Sequence, residues 1–323
     1  MTTSTNPHLD IEILRRAVTG QVITPDDPGY DDAHQLFVPA FDASRPAVIV
    51  QVADAADVAT VLETARESGR ELAVRSGGHS AAGHSTTDGG IVLDVRALKG
   101  LEIDVESNTA WAESGLTAAE YTTSTGAVGL ATGLGDTGSV GLGGITLGGG
   151  IGFLVRKHGM TIDSLLAAEV VTADGELVHT DSESHPDLFW AIRGGGGNFG
   201  VVTRLQLRLQ PVETIIGGML ILPATRDAIA RFIAEAEAAP EELSTIVNVM
   251  TCPPMPFVPE ELYGSLVIMA LVTWCGDIEE GKNVMDRFRA LAPPIADMVQ
   301  EMPYAQIYPA EDEEYRPMAV ART

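Results

Sequence analysis

Cysteine is nearly missing from this chain: Cys252 and Cys275 are the only two in 323 residues. So few exclude a disulfide scaffold, and no zinc-ligand spacing exists. Each closes an apolar, strand-like run, so the two are expected near one another on neighbouring strands. Basic residues are also scarce, with 20 Lys and Arg against 45 Asp and Glu, a net charge of −25. An acidic surface of this kind repels phosphate backbones and anionic lipid, which argues against nucleic acid and membrane partners. Aromatics make up only 5%. No apolar run reaches the ~18 residues of a membrane span. The opening MTTSTNPHLDIEILRRAV lacks the apolar core of a signal peptide. A cytoplasmic protein is the default expectation.

What the chain does have is core-forming material and glycine. Hydrophobic residues reach 45% and the mean hydropathy is +0.13, enough for two domains at the usual ~100–200 residues each. The 34 glycines are clustered without a period, which excludes a collagen pattern and points to loops where backbone approaches a ligand closely.

Residues 46–52, 54–68 and 71–75 read as strand, helix capped by Asp54, and strand, a β-α-β unit. A polar loop (76–90) and a strand (91–95) follow, then a hairpin pair (101–105, 109–114) and a short helix (117–126). Nearly every second residue of 129–152 is glycine. By propensity such a segment forms neither helix nor strand and must wrap something closely. GFLVRKHG reads as a helix. LAAEVVTADGELVHT then reads as two strands joined by an Asp174-Gly175 turn, a helix starts at Pro186, and FGVVTRLQLRLQ is a strand. Past Pro211 the pattern restarts as strand (214–222), helix (225–238), strand (244–251), strand (262–274) and helix (277–291). That order suits an antiparallel sheet with helices on one face, an α+β arrangement. Because no concluding element follows, this second domain (213–323) is expected to be incomplete, with unpaired sheet edges.

Two formal G-x-G-x-x-G matches, Gly133-Gly135-Gly138 and Gly195-Gly197-Gly200, fail their context test. A dinucleotide-binding motif must open a helix, whereas the first runs into more glycine and the second into a strand. No phosphate-binding P-loop, no H-E-x-x-H and no metal-ligand cluster is present.

Three segments remain: RSGGHS (75–80), GLGGITLGGGIG (141–152) and WAIRGGGGNFGVVT (190–203). With the connecting GHSTTDGGIVLDV (83–95) and KHGMTIDSLLAAEVVTADGE (157–176), they make five ordered matches over residues 40–212. In this order they resemble the PCMH-type FAD-binding domain of the vanillyl-alcohol-oxidase superfamily, specifically its berberine-bridge-enzyme-like flavoproteins. The resemblance implies an FAD-binding domain over 1–212, built of two α/β subdomains, followed by a substrate domain. It implies hydride transfer from an alcohol, sugar or secondary metabolite to flavin N5, with oxygen or another electron acceptor downstream. The alternative is a flavin-binding fragment without turnover, because relatives draw their base from a C-terminal part that is not recognisable here. Tyr263, Tyr304, Tyr308 and Tyr315 match no motif, and no catalytic base is assigned.

Within the resemblance, Gly77 and Gly78 turn the loop and present backbone N–H donors to a pyrophosphate. Arg75, Ser76 and Ser80 enter the same loop, although Arg75 also reads as a plain strand-end surface charge. His79 stands where relatives carry the histidine bonded to the flavin 8-methyl carbon. Gly83 and His84 follow it, either at the flavin edge or as loop packing. Thr137, Gly138, Ser139, Val140, Gly143, Gly144, Gly148 and Gly150 are expected along the cofactor, and Gly200, Val201 and Val202 beside its adenine half. For the two valines, strand core is the plainer reading. Thr137 occupies the position of a second, cysteinyl attachment in many relatives and offers no thiolate, so His79 should be the only covalent link. Val140 is compatible with oxygen access.

Overall fold

The structure, a computed structural model, describes residues 9–308; Tyr315 lies outside them. Its strands are β1 (Gln21–Ile23), β2 (Val48–Gln51), β3 (Leu72–Arg75), β4 (Ile91–Asp94), β5 (Leu101–Asp104), β6 (Thr109–Glu113), β7 (Leu130–Ala131) and β8 (Leu165–Val171). They continue with β9 (Leu177–Asp181), β10 (Val201–Arg208), β11 (Gln210–Pro211), β12 (Thr214–Pro223), β13 (Leu243–Thr251), β14 (Leu266–Trp274), β15 (Ala296–Asp297) and β16 (Gln300–Pro303).

A first sheet runs β1-β2-β4-β3. Its two inner strands, β2 and β4, are continuous apolar runs, with Val48, Ile49, Val50, Ile91, Val92 and Leu93 fully buried, as strands covered on both faces require. The predicted β-α-β unit is β2, the helix Ala55–Ser68 and β3, with β4 inserted between the two strands. The Asp54 carboxylate accepts from Asp57 N at 2.9 Å and caps that helix. Asp57 is itself buried and accepts from the backbone of Thr19, Gly20 and Ala53, pinning the N-terminal strand beside the helix.

The second sheet, β5-β6-β10-β8-β9, is antiparallel throughout. The Asp174-Gly175 turn closes β8 on β9 as expected, with Gly175 at φ +84°. One face of this sheet buries Leu205 and Leu207 against Tyr121, Leu134 and Leu142.

The third sheet, β13-β14-β12-β15 with β16 also on β12, is the antiparallel sheet read from the pattern beyond Pro211. The helices Arg226–Ala238 and Ile278–Arg289 cover one face, where Phe232 and Phe288 meet edge-on at 5.0 Å over Trp274, Leu220 and Ala270. On the other face Ile246 and Leu271 pack on Phe153 and Leu154, and Met219 and Met269 on the cluster of Ile221, Cys252 and Val258; β13 is an edge strand.

Two expectations are corrected. The glycine-rich segment does form regular structure: Leu142–Leu147 is helical, and Leu130–Ala131 pairs with β11. Tertiary contacts override propensity here, since Leu142 N donates to Leu116 O at 2.7 Å and Gly143 N to Ser114 O at 3.1 Å. The cysteines are not neighbours. Leu243 pairs with Trp274 and Thr251 with Leu266, so Cys275 and Cys252 lie at opposite ends of β13–β14, roughly 25–30 Å apart at ~3.3 Å per residue. Both are free and buried.

Candidate cofactor site

The loop that follows β3 is held from behind by charge. Arg75 is not the surface charge that its strand-end position suggested: it is 1% exposed, with one nitrogen donating to Asp94 Oδ2 at 2.8 Å and to Ala33 O at 2.6 Å. Arg96, at the rim, donates to both oxygens of the same carboxylate. Burial pushes the Asp94 carboxyl up, but the hydrogen bonds of Arg96 and the charges of Arg75 and Arg96 outweigh it and hold it below its ordinary range. The side chain of Arg75 thus anchors the start of the loop.

The loop then meets the glycine segment at van der Waals closeness. A Cβ on Gly77 would stand 2.2 Å from Gly141 N, and one on Gly141 would stand 2.1 Å from Gly77 N. Only glycine at both positions permits this contact. Ser76 Oγ donates to Ser114 O at 2.7 Å, fixing the loop to the end of β6. Gly78 takes φ +73° and turns the chain so that His79 faces the turn formed by Thr137, Gly138, Ser139 and Val140. His79 Nε2 lies 3.0 Å from Ser139 Oγ, and its ring stacks on Phe37 at 3.8 Å between centroids. The first motif segment and the turn leading into the second, 60 residues apart in sequence, therefore meet at one imidazole.

The other expected positions divide. Gly138 and Val140 give their carbonyls to Ala119 N and Ala118 N, both at 2.9 Å, which sets the turn on the helix Ala118–Gly126. Thr137 Oγ1 donates to Asp136. Gly143 packs on Ser114, and Gly150 (φ +77°) on Thr161. Gly148 and Gly144 are exposed; around a Cβ at Gly144 there would be nothing within 4 Å. Gly194, Gly196 and Gly197 are equally open, and Gly194 N donates to Leu147 O at 2.9 Å, joining this second glycine cluster to the first. Gly200, at φ +126°, turns the chain into β10, where the side chains of Val201 and Val202 are buried core. Ser80 Oγ accepts from the backbone N–H of His84, whose side chain is exposed, and Gly83 packs on Phe41.

This surface fits a large, flat, phosphate-bearing ligand. Its floor is largely backbone, its loop contains a positive-φ glycine turn, and two buried polar atoms of the same segments, Arg75 Nε and Thr146 Oγ1, together with Ser114 Oγ beside them, lack a partner among the described residues.

Some neighbours of the site were not legible in the sequence. Phe37, which stacks on His79, lies in an unremarkable stretch before the first motif. Tyr308 donates from its hydroxyl to Gly135 O at 2.9 Å across 173 residues, and Tyr304 is fully buried with its hydroxyl unsatisfied among the described residues. No local spacing announces such contacts. A cavity of about 430 Å³ lies at the end of the glycine segment, lined by Ile151, Gly152, Phe153, Arg156, Ile233 and Ile246 among others. It shares no residue with the His79 loop.

A family model described as an FAD binding domain matches residues 46–181. The chain is 31% identical over 292 residues to (R)-6-hydroxynicotine oxidase of Paenarthrobacter nicotinovorans, taking in 90% of this chain and 62% of that protein. The crystal structure of 6-hydroxy-D-nicotine oxidase from Arthrobacter nicotinovorans superposes with a TM-score of 0.83 at 29% identity, covering 95% of this chain and 64% of the other. Xylooligosaccharide oxidase from Myceliophthora thermophila shares the fold, with a TM-score of 0.76 at 24% identity over 92% of this chain and 62% of the other. Fold and site together match the FAD-binding part of FAD-linked oxidoreductases. Residues 46–181 thus match an FAD-binding domain, and the chain's homologues, berberine-bridge-enzyme-like proteins among them, are of the PCMH type of the vanillyl-alcohol-oxidase superfamily. It spans less than two thirds of the length of the relatives named here.

Proposed function

We propose that residues 1–212 bind FAD across the Ser76–Ser80 loop and the Thr137–Gly150 segment, and that His79 is its sole covalent tether. The observation that carries this is the fixed imidazole of His79, stacked on Phe37 and 3.0 Å from Ser139 Oγ where the two glycine segments touch. Bound FAD supplies the two-electron acceptor for oxidation of a small-molecule substrate, with oxygen as the acceptor downstream. The chain's own residues do the rest. Gly77 and Gly78 present N–H groups where side chains would obstruct, and the Arg75–Asp94–Arg96 cluster leaves a net positive charge behind the loop, favourable to a pyrophosphate. Thr137 offers no thiolate, and both cysteines are buried in the third-sheet region, so no second attachment forms.

The second reading, flavin binding without turnover, has its own support. Burial raises the Tyr304 hydroxyl well above the ordinary range, and the nearby Tyr308 and Cys275 push it the same way. Burial likewise raises Tyr308, with the Thr122 hydroxyl opposing and Asp136 adding. Neither phenol accepts a proton at neutral pH. Expression with riboflavin, then denaturing gel electrophoresis under ultraviolet light, tests the tether: the wild-type band should fluoresce and a His79→Ala band should be dark. A dark wild-type band would sink the covalent reading. Peroxide release on a panel of alcohols and sugars separates turnover from binding alone.

A further inference from the structure

Among the described residues, β13 is unlike every other sheet edge. The edge strands β1, β3, β7 and β11 are at most four residues long, and β5, β9, β15 and β16 are short and carry Asp or Glu. Shortness, charge and proline are what keep an edge from pairing with another chain. β13 has none of them: it runs nine residues, LSTIVNVMT, without charge, proline or a shift of register against β14. Its second half is also apolar and open, with Val247, Val249 and Met250 37–49% exposed.

The direction of its backbone groups follows from contacts at its two ends. Leu243 N donates to Pro240 O at 3.1 Å and Leu243 O accepts from Arg156, so this residue turns both groups away from β14. Cys252 N, just past the other end, donates to Ser265 O on the β14 side. Backbone groups alternate along an antiparallel pair. Thr245, Val247, Val249 and Thr251 therefore point theirs outward, where no partner meets them among the described residues. Thr245, Val247 and Val249 sit opposite Val272, Ala270 and Ile268, so their side chains lie on the helical face. There Val247 shares the lining of one cavity with Ile233, which is 53% exposed.

We infer that β13 is a dimerisation strand, pairing antiparallel with β13 of a second copy about a two-fold axis through Asn248. Only this register satisfies all four outward-facing residues: Thr245 pairs with Thr251 of the second copy and Val247 with its Val249, each twice by symmetry. Such pairs exchange both of their N–H···O bonds, giving about eight in all. The positions between them set Ile246 against Met250, and Asn248 against itself on the axis. Every facing pair is neutral, so two chains of net charge −25 meet without a charged side chain of β13 at the seam. An axis perpendicular to the sheet keeps both helix layers on one side, and the exposed Ile233 of each copy then borders the joined strip of valines. Apolar surface that a monomer leaves open is covered in the pair. This inference is independent of the flavin reading, and either can fail without the other.

Light scattering on the whole chain, over a concentration series, should report twice the 34.0-kDa chain mass. Val249→Pro removes an outward N–H that β14 does not use, so it should keep the native circular dichroism and yield monomer. Asn248→Asp, at an exposed position, sets two carboxylates against each other on the axis. It should weaken dimerisation severalfold at low salt and recover as salt screens the pair, whereas Val105→Asp, exposed in the turn between β5 and β6, should leave dimerisation unchanged. Asn248→Cys should cross-link to its own copy under mild oxidation, the native cysteines being buried, and Val105→Cys should not. Monomer at every concentration, or a dimer that Val249→Pro and Asn248→Asp both leave intact, overturns the inference. A dimer in which Asn248→Cys fails to cross-link overturns the axis through Asn248.

Discussion

Replacing Asp94 by Asn is the perturbation for which the structure gives the clearest magnitude. The carboxylate is fully buried and carries Arg75 at 2.8 Å, itself 1% exposed, together with the half-exposed Arg96 at 2.7 Å. Asparagine keeps the shape and one acceptor but removes the charge. Arg96 can turn to water; Arg75 cannot, and a buried guanidinium without its counter-ion costs about 3–5 kcal/mol. For a chain of this size that is a fall in Tm of roughly 6–20 °C, at ~2–4 °C per kcal/mol. Arg96→Met should cost only about 1 kcal/mol, because Asp94 retains Arg75. The double variant Arg75→Met/Asp94→Leu, with no charge left to strand, should recover much of the loss. Thermal unfolding followed by circular dichroism reads all three. An Asp94→Asn protein melting within about 2 °C of wild type, a shift worth under ~1 kcal/mol, would refute the reasoning. The pH dependence has a definite sign as well. Because the folded carboxyl lies below its unfolded value, its contribution is present above ~pH 4 and is lost as pH falls through the folded pKa. Asp94→Asn should therefore flatten the acid limb of the stability curve. As Arg75 leads directly into Ser76–His79, flavin occupancy should fall with it.

Two further outcomes follow from the same geometry. Gly141→Ala forces a Cβ to 2.1 Å from Gly77 N and should unseat the loop, giving protein that is less stable and holds no flavin, whereas Gly144→Ala meets nothing within 4 Å in the protein and should fold normally. A Gly144→Ala protein of wild-type stability that loses flavin would place the cofactor over that glycine, and one that loads fully would move it elsewhere. His158 is held below the ordinary histidine range by burial, with the charge of Lys157 adding and Glu241 opposing. A histidine lowered on folding contributes stability above its unfolded pKa of ~6.5 and loses it as pH falls towards the folded value. Denaturant midpoints should therefore drop between pH 7.5 and 5 in wild type and drop less in His158→Leu; parallel curves would count against the assignment.

Much of the fold was legible because local signals and tertiary structure agreed. Asp54 caps the helix it was expected to cap, Asp174-Gly175 closes its hairpin, and the apolar runs of 48–50 and 91–93 are strands buried on both faces. The pattern beyond Pro211 yielded the antiparallel sheet and its helical face. What local pattern could not carry was partnership at a distance. The burial of Arg75 depends on Asp94 and Ala33, and the helix at Leu142–Leu147 depends on carbonyls of Ser114 and Leu116. Cys252 and Cys275 each end a strand run, but the register decides that they end it on opposite sides. Within the site, the ordered glycine segments pointed to the cofactor, while Phe37, Ser114 and Tyr308 reach it through contacts that no spacing encodes.

The most direct test of the central claim is fragmentation mass spectrometry of the tryptic peptide Ser76–Arg96, which carries both His79 and His84. The account predicts a peptide heavier by a flavin, with fragment ions placing the added mass on His79 and none on His84. An unmodified peptide from protein purified yellow, or a flavin mass on His84, would contradict it.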